Sequence, residues 1–315
     1  MADLTIADVE GINRFLFVTR EDVLMWLPAP WTASWKSEAA AELGNSEIGA
    51  GGLPWGDEPV RTAYAAAHVF LFAAVDCIDA MADSVNLLTT LYVMHVLARA
   101  SMEAGSQAWW LLEPGIGARR RVIRSILIRA SSARYLGKAA RKIDPAGGAA
   151  SFGESQDMVR DYAKALGLTY VCNDSTVECE SEKLPSYNQR AAAFEQAVFM
   201  TAAYSIYSGA THAELYSVAQ GWRQSATATR LWERYPERVA VWAAVMAAAG
   251  FVTVPAFRGI TLLGKNARKV DLAYSMRNIG RWCATWTCHA TGLTDRENIQ
   301  RSDRLSSYRS LYLAR

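Results

Sequence analysis

Little net charge remains on this chain of 315 residues, because its 33 lysines and arginines are offset by 31 aspartates and glutamates. A net charge of +2 excludes a strongly basic nucleic-acid binder of the histone type, but it leaves room for a local basic patch. Five cysteines are an odd and sparse set, unlike a secreted disulfide scaffold. The first residues carry acids where an export signal would carry basic residues, so a cytoplasmic protein is expected.

Several common signatures are also missing. No alternation of apolar and polar residues persists for more than a few positions, so no extended strand is predicted. The chain has no Walker loop, no dinucleotide glycine fingerprint and no serine-centred nucleophile elbow. An uncharged stretch at residues 239–257 is rich in alanine and interrupted by Gly250 and Pro255. This composition favours a buried core helix over a membrane span, and no membrane partner is predicted.

Alanine-rich amphipathic segments make up most of what is present, and alanine favours helix. The predicted helices cover residues 60–86, 87–113, 118–143, 155–166, 188–220, 237–263, 267–290 and 295–313, with a polar loop at 167–187. Short connections between long helices are typical of antiparallel packing. The expected fold is therefore all-α: an antiparallel helical bundle over residues 59–315 that includes additional C-terminal helices.

The first 58 residues are predicted to form an N-terminal arm. Two short helices open it, since Thr5 with Asp8 has the capping-box spacing and a second such pair follows at residues 19 and 22. Three tryptophans (Trp31, Trp35 and Trp55) occur in the Pro- and Gly-rich remainder of the arm. Such side chains are costly to leave in water, so the arm is expected to lie against the body or a partner.

A row of acids lies in the first long helix. Asp76, Asp79 and Asp83 are three and four residues apart and share one broad face of a helix with His68. Three carboxylates there can hold Mg²⁺ with a substrate diphosphate, as terpenoid cyclases do. Aromatic residues are plentiful enough to line a pocket between helices. One interpretation is therefore a Mg²⁺-dependent protein for a hydrophobic small molecule; the alternative for these acids is a solvated polar face.

A second polar group is divided between two predicted helices. Arg99 and Glu103 lie four residues apart in an apolar segment, where each satisfies the charge of the other. Tyr204, Tyr207, Ser208 and His212 follow on a later helix, and an imidazole beside hydroxyl groups suits proton transfer. The predicted catalytic residues are His212, Glu103, Arg99 and Tyr207. The alternatives are a pair that fixes helix register and a histidine with a structural role.

The strongest local charge signal is the segment 119–142, which has nine basic residues and no acid. Its apolar residues recur at helical spacing, so one face packs while the others stay charged. Arg120 and Arg124 are predicted to contact phosphates of RNA or of a diphosphate. The alternative is an ordinary solvated face that is balanced by the acids between Asp144 and Glu182.

The body of the chain, roughly residues 60–260, resembles bacterial helical proteins related to the HEPN superfamily. The matching segments are Arg99-x3-Glu103, Ala108–Pro114, Leu184–Ser186 and Tyr204-x2-Tyr207-Ser208-x3-His212-Ala213-Glu214. Catalytic members are metal-independent ribonucleases, in which an Arg and a His four to six residues later polarise the scissile phosphate and move the proton of the RNA 2′-hydroxyl. Members without that motif act as structural or nucleotide-binding modules.

The resemblance implies a helical module that binds or processes RNA or nucleotides, without a cofactor and often as a homodimer. Here His212 matches the histidine of the motif, whereas Ser205, Ile206 and Tyr207 occupy the positions open to the arginine. An arginine for this role would have to come from a neighbouring helix, and Arg99 is the candidate. The expected function is therefore HEPN-like, with the hydrophobic small-molecule interpretation as the alternative.

Overall fold

The computed structural model describes residues 4–24, 27, 33–34, 36–86, 91–144, 147–173, 176–198, 204–205, 207–208, 212, 222–224, 232–234 and 238–264. Trp31, Trp35 and the helices predicted at 267–290 and 295–313 lie outside these residues. Within the described part of the chain, 77% of residues are helical. The prediction of an all-α fold is therefore confirmed, and the remaining strands are short.

Eight α-helices and five strands occur in the described residues. The helices are α1 (Ile6–Leu24), α2 (Glu38–Leu43), α3 (Glu58–Asn86), α4 (Leu91–Leu111), α5 (Gly117–Ile143), α6 (Gly147–Ala165), α7 (Tyr187–Val198) and α8 (Arg238–Leu262). The strands are β1 (Tyr170–Cys172), β2 (Val177–Cys179), β3 (Glu182–Lys183), β4 (Trp222–Gln224) and β5 (Trp232–Arg234).

Side chains satisfy the free amides at the start of the first helices. The Thr5 hydroxyl accepts the Asp8 amide at 3.2 Å, and the Asp8 carboxylate accepts the Thr5 amide at 3.0 Å. This reciprocal pair is the capping box that the sequence predicts. At α2, the Ser37 hydroxyl accepts the Ala40 amide at 3.1 Å. Local polar residues therefore fix where these helices begin.

Helix α4 lies at the centre of the bundle, where it packs against α3, α5, α7 and α8. Its contact with α8 is close because small residues face one another: the Ser101 hydroxyl donates to the Ala248 carbonyl at 3.3 Å. A Cβ atom added to Gly105 would lie only 1.9 Å from the Phe251 carbonyl oxygen. The two backbones can approach this closely only because residue 105 has no side chain. Helix α1 packs on α3 and α8, so the start of the arm belongs to the same core.

Among the described residues, two helices are long and apolar enough to cross a membrane by length and composition alone. In α8 the apolar window is 72% buried inside the protein, which is the environment expected of a core helix. In α3 the corresponding window is only 33% buried. Core helices of soluble proteins pass the same test, so this finding is weak evidence for a membrane span.

A buried ion pair joins the arm to the bundle. The Arg121 side chain on α5 is fully enclosed, and it donates to both carboxylate oxygens of Glu42 on α2, at 2.6 and 2.7 Å. The Tyr64 hydroxyl on α3 donates to the same carboxylate at 2.8 Å. Nearby, the Trp55 indole donates to the Leu166 carbonyl at 2.9 Å. Polar contacts with matched partners therefore hold the described part of the arm against α3, α5 and the end of α6.

The segment predicted as a polar loop at 167–187 contains the antiparallel sheet β1-β2-β3, in which Tyr170 is paired with Cys179 and Cys179 with Glu182. This sheet packs on α5. The single long helix predicted at 188–220 is also wrong, because α7 ends at Val198 and His212 lies in a turn. Further along the chain, the Tyr204 amide donates to the Glu195 carboxylate at 2.6 Å.

Candidate functional site

Two of the predicted catalytic residues form an ion pair on α4. Arg99 Nε donates to Glu103 Oε1 at 2.7 Å, and the helical spacing of four residues allows this contact. The same oxygen accepts the Tyr204 hydroxyl at 2.9 Å, and the Arg99 guanidinium lies 5.4 Å from the centre of the Tyr204 ring. The Arg99 and Glu103 side chains are 14% and 28% exposed, so solvent reaches the pair.

Arg99 also contacts the segment that carries His212. Its Nη1 donates to the Ser208 carbonyl at 3.0 Å, and the backbone amide of His212 donates to the same carbonyl at 3.4 Å. A single oxygen therefore links the guanidinium to the turn that holds the imidazole. His212 is exposed to solvent. The structure thus brings Arg99, Glu103 and the turn of His212 together, on the solvent-accessible side of α4.

The fourth predicted catalytic residue, Tyr207, faces inward. Its side chain is 4% exposed and its ring lies 5.2 Å from the ring of His95, centre to centre. His95 sits one turn before Arg99 on α4 and is itself buried, and burial lowers the pKa of its imidazole to about 4. At neutral pH His95 is therefore uncharged and packs as an aromatic ring. The hydroxyl that reaches the ion pair belongs to Tyr204 instead.

Helix α7 contacts Tyr204 through Glu195, and it also carries a buried arginine, Arg190. The buried Glu195 carboxylate accepts the Tyr204 amide at 2.6 Å, which fixes the start of the helical turn that includes Tyr204. Arg190 is 4% exposed, donates to the Pro185 carbonyl, and stacks 4.5 Å from the centre of the Tyr187 ring. Burial lowers the pKa of Arg190, and its Nε has no hydrogen-bond partner within the described residues.

The chemistry open to this cluster follows from its groups. Burial, and then the hydrogen bond and negative charge of Glu103, raise the pKa of the Tyr204 hydroxyl to about 12. Tyr204 therefore stays protonated and keeps donating to Glu103 at neutral pH. Arg99 can donate to an anionic oxygen, since a guanidinium has five N–H donors. Imidazole is the side chain most often used as a general acid or base, and that of His212 is exposed. A guanidinium that binds anionic oxygens and an imidazole that transfers a proton are the groups needed to cleave a phosphate ester.

The two arginines predicted to bind phosphate, Arg120 and Arg124, contact carboxylates of the same chain. Arg120 Nε donates to Glu182 at 3.0 Å. Arg124 is 3% exposed, donates to Glu182 at 3.1 Å and to Glu113 at 2.5 Å, and stacks 4.8 Å from the centre of the Trp110 ring. These contacts join α5 to β3 and to the end of α4. Phosphate binding by Arg120 and Arg124 stays a prediction. It is disfavoured because Glu182 of β3 and Glu113 of the α4–α5 connection already pair with these arginines.

The acids predicted to hold Mg²⁺ are not arranged as a metal site. No group of three His, Cys, Asp or Glu side chains in the described part of the chain is placed to bind a metal ion. Asp79 pairs with Arg20 of α1 at 2.9 Å, and Asp76 and Asp83 are exposed. An arginine beside the central carboxylate supplies the positive charge that a cation would provide. Asp79, Asp83 and Arg20 border an open depression of about 470 Å³ between α1 and α3.

Sequence reasoning placed Tyr204 on the same predicted helix as His212 without choosing it as a catalytic residue, and it missed Glu195. Tyr204, Ser208 and His212 are spaced by four residues, and this spacing places them on one face of a helix. That pattern would have identified Tyr204, in place of Tyr207, as the hydroxyl beside the ion pair. Glu195 gave no such signal, because its partner, the Tyr204 amide, lies nine residues further along the chain.

No protein family, curated protein or solved structure matches this chain. The likeness to HEPN proteins therefore stays a prediction from the segments described above.

Proposed function

We propose that this chain is a HEPN-like helical module that binds RNA at the cluster of Arg99, Glu103, Tyr204 and His212 and cleaves it without a metal ion. The observation that carries the proposal is the Ser208 carbonyl, which accepts both an Arg99 guanidinium N–H and the His212 amide. An arginine from α4 is thereby held against the turn of the histidine. This supports the idea that Arg99 replaces the arginine that the Arg-x4-6-His motif would supply.

The proposed reaction is attack by the RNA 2′-hydroxyl on the adjacent phosphorus. The P–O5′ bond breaks, leaving a 2′,3′-cyclic phosphate and a free 5′-hydroxyl. His212 takes the proton of the 2′-hydroxyl, the leaving 5′-oxygen takes a proton from water, and His212 then returns its proton to the solvent, so the reaction is balanced without a redox partner or a second substrate. Arg99 stabilises the negative charge on the phosphate oxygens as it increases. Glu103 and Tyr204 are positioning residues, since each contacts Arg99 or its carboxylate partner.

The hydrophobic small-molecule alternative gains no specific support. Three aromatic side chains near the site fill the core by contacting one another: Phe194 lies 5.6 Å from Trp109 and 4.1 Å from Phe251, centre to centre. Rings packed in this way fill the space between α4, α7 and α8. RNA binding is therefore the function that the cluster supports best. Pairing of two copies stays a prediction.

The test uses the full chain, a labelled single-stranded RNA and a DNA of the same sequence, both with EDTA present. We expect cleavage of the RNA alone, with a 2′,3′-cyclic phosphate on the product. His212→Ala should lower the rate by roughly 10²–10⁴-fold, the usual contribution of a positioned acid or base. Arg99→Lys should weaken RNA binding and cleavage together, because lysine cannot reach Glu103 and the Ser208 carbonyl with a planar fork.

Matched controls separate these effects from loss of folding. His68→Ala removes a half-buried histidine of α3, and Arg61→Lys changes an exposed arginine paired with Asp57 at 2.6 Å, also at a spacing of four. Both should leave cleavage unchanged. Cleavage that survives His212→Ala, that needs a divalent ion, or that proceeds equally on DNA contradicts the mechanism. Failure of the unmodified protein to bind RNA contradicts the proposed function as a whole.

A further inference from the structure

Helix α5 carries an exposed surface that combines apolar and basic side chains, here called the α5 face and formed by Tyr135, Leu136, Lys138, Lys142 and Ile143. Tyr135 is 59%, Leu136 67% and Ile143 87% exposed. Positions 136 and 143 are seven residues apart, so they share one side of the helix. Lys138 and Lys142 are four residues apart and share a second exposed strip, with Tyr135 between the two strips. Large apolar side chains grouped at such exposure usually mark an interaction surface.

The charge of this face is not neutralised in the way that the first half of the helix is. Arg119, Arg120, Arg121 and Arg124 each form an ion pair with a glutamate of another segment. Lys138 and Lys142, in contrast, form no ion pair within the described residues. The helix itself contains no acid from Gly117 to Ile143. The face therefore presents uncompensated positive charge next to exposed aliphatic groups.

We propose that the α5 face docks on the surface of an anionic phospholipid bilayer, with the helix lying in the plane of the headgroups. Leu136 and Ile143 would enter the boundary between headgroups and acyl chains, while Lys138 and Lys142 extend to the phosphates. Anionic lipid complements the charge, and the acyl boundary is what gives the two aliphatic side chains an apolar partner. RNA would complement the lysines but would leave Leu136 and Ile143 in water.

The proposed contact is peripheral and needs no membrane-spanning segment. It therefore differs from the membrane span that was considered for the uncharged stretch at 239–257. The inference is also independent of RNA cleavage, because none of its residues belongs to the cluster around Arg99.

Flotation of the full chain with lipid vesicles tests the proposal. We expect the protein to float with phosphatidylcholine vesicles that contain phosphatidylglycerol and not with phosphatidylcholine alone. Lys138→Ala with Lys142→Ala should weaken partitioning by roughly 30-fold, since each basic residue near an anionic surface contributes about fivefold. Leu136→Ser with Ile143→Ser should weaken it by at least roughly tenfold. All four positions are exposed, so circular dichroism and the melting temperature should stay unchanged.

Two variants serve as controls. Val69→Ser removes a side chain that is 64% exposed on α3, and Lys164→Ala removes an exposed lysine of α6; both should float normally. The proposal is overturned if the unmodified protein stays in solution, or if it floats equally well without phosphatidylglycerol. It is also overturned if Leu136→Ser with Ile143→Ser halves the mass measured by light scattering, since a second copy then covers the face. Loss of RNA retention in the lysine variant without any vesicle binding would assign the face to RNA instead.

Discussion

Replacing Glu42 by alanine should lower the free energy of unfolding by about 3–5 kcal/mol, the usual effect of leaving one member of a buried ion pair alone. The Arg121 side chain is 0% exposed and Glu42 is 6% exposed, so water cannot replace the lost carboxylate. The Tyr64 hydroxyl would lose its acceptor at the same time. The guanidinium would keep the Leu111 carbonyl, the face of the Tyr64 ring at 4.9 Å from its centre and the half-buried Glu38 carboxylate at 3.7 Å, so a loss at the lower end of this range is expected.

Urea unfolding followed by circular dichroism measures this effect. The matched control is Asp57→Ala, which removes the partner of Arg61 from an ion pair of similar length, 2.6 Å, whose side chains are 47% and 50% exposed. An exposed pair contributes only about 0–1 kcal/mol, so this variant should unfold near the midpoint of the unmodified protein.

A double replacement separates the cost of an orphaned charge from the loss of an attraction. Glu42→Leu with Arg121→Met removes both charges and keeps most of the volume, and such replacements are often neutral or stabilising. It should therefore unfold at higher urea than Glu42→Ala alone. If Glu42→Ala costs no more than Asp57→Ala, or if the double variant is the least stable of the three, Arg121 is hydrated and the reasoning fails.

Two further predictions concern α4. Burial lowers the pKa of His95 to about 4 from 6.5, so between these values the unfolded chain binds a proton that the native chain does not. The free energy of unfolding should therefore fall by up to roughly 3 kcal/mol as pH falls through this window, and His95→Leu should remove that part of the slope in urea titrations. Gly105→Ala should destabilise by about 1–3 kcal/mol, because its Cβ would overlap the Phe251 carbonyl. Gly153→Ala, where nothing lies within 4 Å, should instead be neutral or stabilising in the same melts.

The long helices could be predicted from the sequence because their signals are local. Apolar residues recur at helical spacing, and breaking residues such as Pro114 and Gly115 separate α4 from α5 close to the predicted position. The sheet β1-β2-β3 could not be predicted in this way. Its strands have three, three and two residues, which is too short for an alternating pattern, and they are held by pairing with each other and by contacts with α5.

The candidate site was predictable where its partners are near in sequence and not where they are far. Arg99 and Glu103 are four residues apart, so their ion pair follows from helical geometry. Arg120 and Arg124 have the same kind of local pattern, but their shared partner Glu182 lies 62 and 58 residues away. A basic segment considered by its sequence alone therefore predicts phosphate binding. In the folded protein, these arginines bind the Glu182 carboxylate.

Two arginine–glutamate pairs with nearly equal hydrogen bonds illustrate why exposure, more than bond length, identifies the candidate site. Arg121 and Glu42 are 2.6 Å apart and 0% and 6% exposed, and a ligand could reach neither without unfolding the contact between α2 and α5. Arg99 and Glu103 are 2.7 Å apart but 14% and 28% exposed, beside a histidine that faces solvent. An anion can approach Arg99 while Glu103 still holds it. The enclosed pair can therefore serve only stability, and the open pair is the one that binding can perturb.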